Sequence, residues 1–524
     1  MSVFSRPSHA RSVFSRSVLA GIALAALVAG GAQATPDKQH AVAAVGIDIT
    51  TGDPHKITGG GEYMFFSNVF ESLYGHDLDG KLVPHLAQSH EMSDDGLTYT
   101  VKLRPNVKFH NGDVMTADDV AFTAEDVKFS WQRSNDEEIK NPRASIVTKN
   151  IKDVEVVDDL TVKVHLTKPN SSLLENLGEY FYMVPKDYIE KVGNDAFGKQ
   201  PVGTGPYKFV SRRIKENIQL EAFKEHWGQV PGVEKLTLQI VPDAQTRVAM
   251  LQTGEADIAI NLPPQLAKSV DAGADTKMVV SPSFQNIFIV LNMRGSDKAF
   301  ASTKVRQALN HAVDKQTLIK KVMFGFATQS TGPCHKDIIG CDIDREPYAY
   351  DPKKAKKMLE EEKFDFSKTY RMFGLAPGRA AQSKEVLEAV AFYLNQVGIK
   401  TETEFLEYGA WLAKLGAKEF DTYGLFWQNW TDYNNDPMGR LPRNIRTDGY
   451  FSWSSYPELD PMIDEANGIV DPKERTEHLR KIFTRLYDDP PWIILWTTDN
   501  TDAARKNVDW KPRANVSWPV FWQL

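Results

Sequence analysis

Apolar and polar residues follow one another along this chain in two rhythms, and their order predicts an α/β protein. Thr98-Tyr99-Thr100-Val101-Lys102-Leu103 alternates with period two, the pattern of a half-buried strand. Leu160 to Leu166 alternates in the same way, with its even positions apolar and His165 on the polar face. It is expected to pair with Val154-Glu155-Val156-Val157 across Asp158-Asp159. Residues 41–49 and Leu236 to Val241 predict further strands, and the apolar run Asn286 to Asn292 predicts a buried central one. Helical spacing lies between these segments. Val305, Ala308, Leu309, Ala312 and Val313 fall on one face. Val386, Leu387, Val390, Leu394 and Val397 do the same and end at Gly398. Asp351-Pro352 opens a helix with an N-cap and a proline at N1, and Asp243 to Thr253 reads as another. Phe65, Val69 and Leu73, with Phe66 and Phe70, predict a helix from Glu62 to Tyr74. Glu71 lies on its more polar side, either exposed or facing a pocket. Region 75–200 reads as α+β, and strand–helix alternation from 286 to 430 predicts a separate α/β unit.

Two local patterns refine this picture. Gly203-Thr204-Gly205-Pro206-Tyr207 predicts a rigid turn entering a strand. No helix follows it directly and Pro206 lacks an N–H, so the pattern does not suit phosphate binding. Thr116 to Phe122 (TADDVAF) is followed at once by Thr123 to Phe129 (TAEDVKF), a tandem repeat of period seven. Seven residues are close to two helical turns, so the duplication either lengthens a helix or is looped out. Thr116 with Asp119 is a candidate capping box.

Composition bears on address and chemistry. A chain of 524 residues predicts two or three domains, and 42% hydrophobic with 25% charged residues is ordinary for a globular protein. Arg6, Arg11 and Arg16, the apolar run Val18 to Ala29 and then Ala32-Gln33-Ala34 predict a secretory signal peptide over 1–34, cut after Ala34. The run is short for a membrane span. Removing three Arg takes the formal charge from −7 to −10. An acidic chain without a basic tract argues against nucleic acid or an anionic membrane as main partner. In an exported protein the two cysteines, Cys334 and Cys341, are expected to form a disulfide. A metal site with His335 and Asp342 is the alternative, but a second Cys/His pair at zinc spacing is missing. No Gly-x-Ser-x-Gly, His-Glu-x-x-His or Cys/His catalytic context is present, so no enzyme activity and no cofactor are expected.

Candidate binding chemistry concentrates late in the chain, where nine of the eleven Trp residues follow position 400. Phe426-Trp427-Gln428-Asn429-Trp430-Thr431-Asp432-Tyr433-Asn434-Asn435-Asp436-Pro437 mixes indoles, carboxylates, a phenol and side-chain amides. Such a stretch is too polar for a core and too aromatic for an ordinary loop. Aromatic walls with a few placed polar groups suit a small-molecule pocket. A carboxylate between indoles suits an ammonium group. The plainer reading is a surface loop that ends in an Asp-Pro turn and is anchored by its Trp residues.

Several segments together resemble the peptide- and nickel-binding group (family 5, cluster C) of bacterial extracellular solute-binding proteins, which serve ABC importers. They are Val69-Phe70-Glu71-Ser72-Leu73, Gly80-x-Leu82-x-Pro84-x-Leu86-Ala87, Ser93 to Thr100, Leu103 to Gly112 and Thr116 to Val120. Gly203 to Tyr207, Gly254 to Asp257, Val305 to Leu309 and Tyr350-Asp351-Pro352-x-x-Ala355 continue the series in the family's order. The resemblance implies a two-lobed periplasmic-binding-protein fold with an additional small α+β domain. One lobe would combine 35–70, 200–285 and 498–524, the small domain would be 71–199, and the second lobe 286–497. A peptide or other amine-bearing solute would be enclosed between the lobes by hinge closure and passed to permease subunits and, through them, the ATPase. A periplasmic monomer is expected. A nickel chelate, opine, oligosaccharide or haem is the alternative ligand, and a secreted hydrolase the alternative function. In the oligopeptide-binding branch an Asp in an Asp-Tyr-Asn-x-Pro-like context pairs with the peptide's α-ammonium. Asp432-Tyr433-Asn434 matches it, with Trp430 and Trp427 nearby, but Asn435-Asp436-Pro437 runs one residue longer. Counting back from Asp436-Pro437 puts Tyr433 at that position instead. Trp411 resembles another pocket Trp of that branch, and Glu71, Tyr408, Arg440 and Arg443 are further candidates.

Overall fold

A computed structural model describes residues 39–57, 62–110, 120–295, 298–376, 382–419, 424–431, 434–514 and 520–524. The signal segment 1–34, the Thr116/Asp119 capping pair, Asp432 and Tyr433 lie outside the described residues. One eleven-stranded sheet runs through most of the rest. Its order is Lys400–Leu406, Thr369–Leu375, Leu425–Thr431, Thr276–Leu291, Trp492–Arg505, Ile258–Ala259, His40–Val45, Lys235–Ile240, Asn217–Ala222 and Tyr207–Arg213, with Ala327–Gln329 beside Trp492–Arg505. A four-stranded antiparallel sheet holds Ala87–Met92, Thr98–Leu103, Thr161–Leu166 and Ile151–Asp158. The fold is mixed α/β.

The two longest strands of the large sheet, Thr276–Leu291 and Trp492–Arg505, pair antiparallel from one end of it to the other. Their register breaks between Pro282 and Asn286 and again at Ile287 to Phe288. Beyond the break, Phe284 to Leu291 and Trp492 to Trp496 enter a core built from residues between 284 and 496. On the other side Ala504 joins a core built mainly from residues 41–260 and the tail around Trp510 and Phe521. Val101, Val154 and Val164 of the four-stranded sheet belong to that second core.

The periodic segments fold as their patterns direct. Tyr99, Val101 and Leu103 are buried while Lys102 is exposed. His165 stays on the open face, bonded to Glu155 and Thr98. Asp351 accepts from the Lys354 N–H at 2.8 Å and Pro352 takes N1. Asp243 accepts from the Thr246 N–H at 2.7 Å, and Gly254 closes that helix at φ +83°. A Cβ on Gly203 would meet the Val69 carbonyl oxygen at 2.1 Å. That turn therefore serves close backbone packing, with the Gly205 N–H donating to Val69 O at 3.0 Å.

One expectation needs correction, and one left open is narrowed. The helix predicted over Glu62 to Tyr74 spans only Tyr63–Val69. From Phe70 the chain is extended, with Ser72 bridging to Tyr182. Phe65, Phe66, Phe70 and Leu73 are all buried, so no polar face distinguishes helix from strand. The duplication was open between a lengthened helix and a looped-out copy, and Thr116 to Asp119 of its first copy lie outside the described residues. Phe122 donates to Val107 O and accepts no helical role, while the helix Ala124–Asn135 begins at the second copy. Its capping box is Thr123 with Asp126.

Cys334 and Cys341 are joined in a disulfide with Cα atoms 5.9 Å apart. The loop it closes is short, so replacing both by Ser is expected to lower the unfolding free energy by roughly 2 kcal/mol. Thiol titration of the native protein should find no reactive group, and chemical denaturation measures the loss. Two titratable thiols in freshly isolated protein would reject the pairing.

Candidate functional site

Polar side chains gather where the crossing strands break register. The strand Leu425–Thr431 lies beside them, pairing Gln285 with Thr431, Ile287 with Asn429 and Ile289 with Trp427. Alternation along this strand turns Trp427, Asn429 and Thr431 to one face. They border a cavity of about 350 Å³ with Gln285 and Ser283 of one crossing strand, Thr498 to Thr501 of the other, and Asn261 to Pro264 opposite. The same three residues border an adjoining cavity of about 250 Å³ with Tyr408, Trp411, Arg440 and Asn444. Thr431 and Arg440 also reach a small space of about 10 Å³ shared with Arg143, Tyr180, Asn434 and Arg443. The three spaces form one cleft along one strand.

Hydrogen bonds span this cleft at both ends. On one side Gln382 donates to Gln265 Oε1 at 2.8 Å. On the other, Asn434 donates to Asn176 at 3.3 Å and Asn435 to Gly80 O at 2.7 Å. Ser171 Oγ donates to Ile469 O at 2.6 Å, and Ser172 Oγ to Asn467 Oδ1 at 3.0 Å. Arg475 ties these contacts to the aromatic stretch. Its guanidinium donates to Ser172 Oγ at 2.9 Å and pairs with buried Asp436 at 2.7 Å. These bonds bring the Asn434-Asn435-Asp436 part of the stretch against Gly80, Asn176 and, through Arg475, Ser172.

The candidate residues separate into three groups. Trp427, Trp411 and Arg440 meet in the cleft, with Tyr408 and Arg443. Trp430 does not. It is fully buried on the opposite face of its strand, 6.4 Å from the Phe483 ring and 6.0 Å from Trp492. Period two separates it from Trp427, three residues earlier. Glu71 lies in a different cavity, of about 500 Å³, where it accepts from Trp227 Nε1 at 2.8 Å and meets His226 Nε2 at 3.2 Å. Burial opposes its charge, but the bonds and charges of His226, His85 and Trp227 together hold its pKa below the usual carboxylate range. Its partners are internal. Arg143, Tyr180, Asn429, Thr431 and Gln285 were missed. Alternation with Trp427 would have marked Asn429 and Thr431 once the stretch was read as a strand; Arg143 and Tyr180 lie more than two hundred residues earlier and carry no local signal.

Two carboxyls at the crossing strands are shifted upward by burial. Asp499 lines the larger cleft cavity. Asp502 accepts from the Asn261 N–H at 2.7 Å, and burial pushes its pKa from 3.8 to about 7 despite that bond and nearby Arg247. Among the described residues no group of three or more His, Cys, Asp or Glu side chains is placed to hold a metal ion. Among them, too, no helix is long and apolar enough to cross a membrane.

The family description of bacterial extracellular solute-binding proteins, family 5, matches residues 81–450. The chain belongs to this family. As a family 5 solute-binding protein it is 33% identical over 501 residues to the glutathione-binding protein GsiB of Pectobacterium atrosepticum, covering 94% of each chain. Identity to the Salmonella typhi protein of that name is 31% over 477 residues, covering 89% of this chain and 90% of the other. The periplasmic binding protein DppA from Helicobacter pylori, solved with peptide STSA, aligns with a TM-score of 0.76 at 26% identity, over 93% of this chain and 98% of that one. Brucella suis NikA in complex with Fe(III)-EDTA shares the two-lobed fold, with a TM-score of 0.81 at 23% identity over 92% and 99% of the chains.

Trp427→Ala is expected to weaken solute binding about tenfold or more while the protein remains folded, as titration calorimetry would measure. Trp430→Ala is expected to cost about 3–5 kcal/mol in stability, the usual range for a buried Trp. The reverse pattern would place the wrong indole in the cleft. Asp502 gives a pH prediction. The folded chain keeps a proton that the unfolded chain releases above about pH 4, so the contribution of Asp502 to stability declines as pH rises toward 7. Asp502→Asn should flatten that decline in urea unfolding measured across this range. An unaltered slope would show that Asp502 does not hold the proton.

Proposed function

We propose that this chain is the periplasmic solute-capturing component of an ABC importer, and that its solute is a short peptide of the glutathione type. The observation that carries this reading is the enclosed cleft over Leu425–Thr431, with indole walls at Trp427 and Trp411 and guanidinium groups at one end. Its larger cavity, about 350 Å³, is of the size that holds small ligands. The likeness to glutathione-binding relatives over 94% of the chain supports the class of solute. DppA, solved with a peptide, supports the mode of capture and the association with an ABC transporter.

Asp432 takes the ligand's ammonium group in this reading, with Tyr433 as the alternative at that position. A charge enclosed in a closing cleft needs a partner, because an unpaired buried carboxylate costs several kcal/mol. Ligand that supplies the partner binds the closed form better than the open one and shifts the population toward it. One lobe comprises 35–70, 200–285 and 498–524, the other 286–497, with 71–199 as the small added domain. The separate cores on either side of the crossing strands support the division into two lobes. The leader is removed after Ala34, the mature protein is a monomer, and it passes solute to permease subunits without altering it.

Native mass spectrometry of protein isolated from its own periplasm is expected to find one peptide-class ligand per chain. Titration calorimetry with glutathione is expected to give saturable binding, and Asp432→Ala to weaken it at least about tenfold with the circular dichroism spectrum unchanged. Unchanged affinity would remove Asp432 from the ligand. A co-purified sugar, metal chelate or haem, or chemical turnover of glutathione, would overturn the function itself.

A further inference from the structure

We propose that the cavity beside Glu71 is a second ligand site, separate from the cleft, and that it takes an organic cation with a flat apolar body. Its volume is about 500 Å³, larger than either main cleft cavity. Among the described residues, none that borders it also borders a cleft space. Distant parts of the chain enclose it. They are the hairpin of Tyr74–His76 and Leu82–Pro84 with its turn, the segment His226 to Gln229, and the tail at Arg513 and Trp522. The walls are aromatic, with Phe70, Tyr74, Tyr182, Trp227 and Trp522. Trp227 is fixed by its bond to Glu71 and by Arg104, whose guanidinium carbon lies 4.0 Å from the ring centre.

Charge in this cavity is uneven. Glu71, Asp77, Asp79 and Glu179 border it against one guanidinium, Arg513. Most of these charges are answered internally. Arg513 donates to Glu179 at 3.0 Å, and Glu71 meets His226 at 3.2 Å. His76 lies 2.8 Å from Glu175 and 3.3 Å from Glu179. Burial opposes its charge, but those bonds hold its pKa above the ordinary histidine range. Asp77 and Asp79 are left over. Asp77 Oδ1 accepts the Asp79 and Lys81 N–H groups at 3.0 and 2.9 Å, which shapes the turn. Asp77 Oδ2 and the exposed Asp79 carboxylate have no partner among the described residues. Two wall groups are also unmet. Ser72 is 3% exposed, yet its Oγ has no hydrogen-bond partner among the described residues. The His85 ring lies over Gly75, where an added Cβ would fall 2.4 Å from it, and its nitrogens have no partner among those residues either. Burial, with the charges of His76, Arg513 and His226 outweighing Glu71, holds the His85 pKa below its ordinary value, so the ring is neutral. Buried polar groups are normally satisfied, so these mark a place for ligand atoms. A neutral imidazole accepts from a cation's N–H, and a free carboxylate attracts an ammonium and repels an anion. Aromatic faces favour the same charge and cover the apolar body.

The site does not depend on which solute the cleft takes. Tryptamine and indole-3-acetate share a ring and differ in the sign of their charge, so they serve as probe and control. Titration calorimetry of wild type is expected to show one saturable tryptamine site, with indole-3-acetate at least about tenfold weaker. Asp79→Lys reverses an exposed charge outside the core, and Asp77→Asn keeps Oδ1 as the acceptor of the turn. Each, checked for native circular dichroism, is expected to cut the preference below about threefold. Trp427→Ala, altered in the cleft, is expected to bind tryptamine as wild type does. Absence of saturable tryptamine binding, equal binding of the two probes, or a preference that survives either Asp substitution would overturn the site. Loss of tryptamine binding in Trp427→Ala would place the probe in the cleft and overturn it as well.

Discussion

The cleft depends on a single constraint, the antiparallel pairing of Thr276–Leu291 with Trp492–Arg505 through a break in register. A regular ladder would satisfy every backbone group and leave no room for function. Where the pairing slips, between Pro282 and Asn286, the ladder is interrupted and side chains are re-aimed. Ser283 Oγ donates to Thr498 O at 2.8 Å, and Thr497 Oγ1 donates to buried Asn286 Oδ1 at 2.8 Å. These bonds satisfy polar groups that the break would otherwise strand. The two cores lie on either side of the break.

The two sides of the cleft are joined by a modest set of contacts. Gln382 to Gln265, Asn435 to Gly80 and the Ser171–Ser172 cluster are neutral hydrogen bonds. Each contributes about 1 kcal/mol net, since water replaces it on opening. Arg475 is different in kind. It is buried, paired with Asp436, and bonded to Ser172 across the gap. Asp436 in turn accepts from the Met438 N–H at 2.9 Å, shaping the turn from which Arg440 projects. The contact from Arg475 to Ser172 is thereby continuous with the segment that lines the cleft. Neutral bonds of this kind are readily exchanged for bonds to water.

Local pattern carried the strands and helices well wherever one face is wet. Thr98–Leu103 and Pro352–Glu361 have sharp boundaries because solvent on one side gives alternation or capping a meaning. Pattern failed at Phe70, where burial is complete and helix and strand offer the same hydrophobic count. It was ambiguous at the duplication. Two copies with equal capping residues compete for one helix start, and the second won because Val120 to Phe122 of the first are used beside Val107 to Phe109. Within the cleft, Trp427 was legible from the aromatic and polar stretch it belongs to, Trp411 from the family resemblance and Arg440 from its nearness to that stretch.

The sequence by itself determined the family, the alternation of strands and helices, the cysteine pair and the part of the chain in which binding chemistry concentrates. Those are properties of residue type and spacing, which a linear chain carries directly. It did not separate Trp427 from Trp430. Both are indoles in one twelve-residue stretch, and only their opposite faces on a strand send one to the cleft and the other into the core. Nor did it bring Arg143 to Arg440, because no local rule links residues almost three hundred positions apart. Tertiary structure decided that proximity, by packing the segment around Arg143 and Tyr180 beside Thr431 and Arg440.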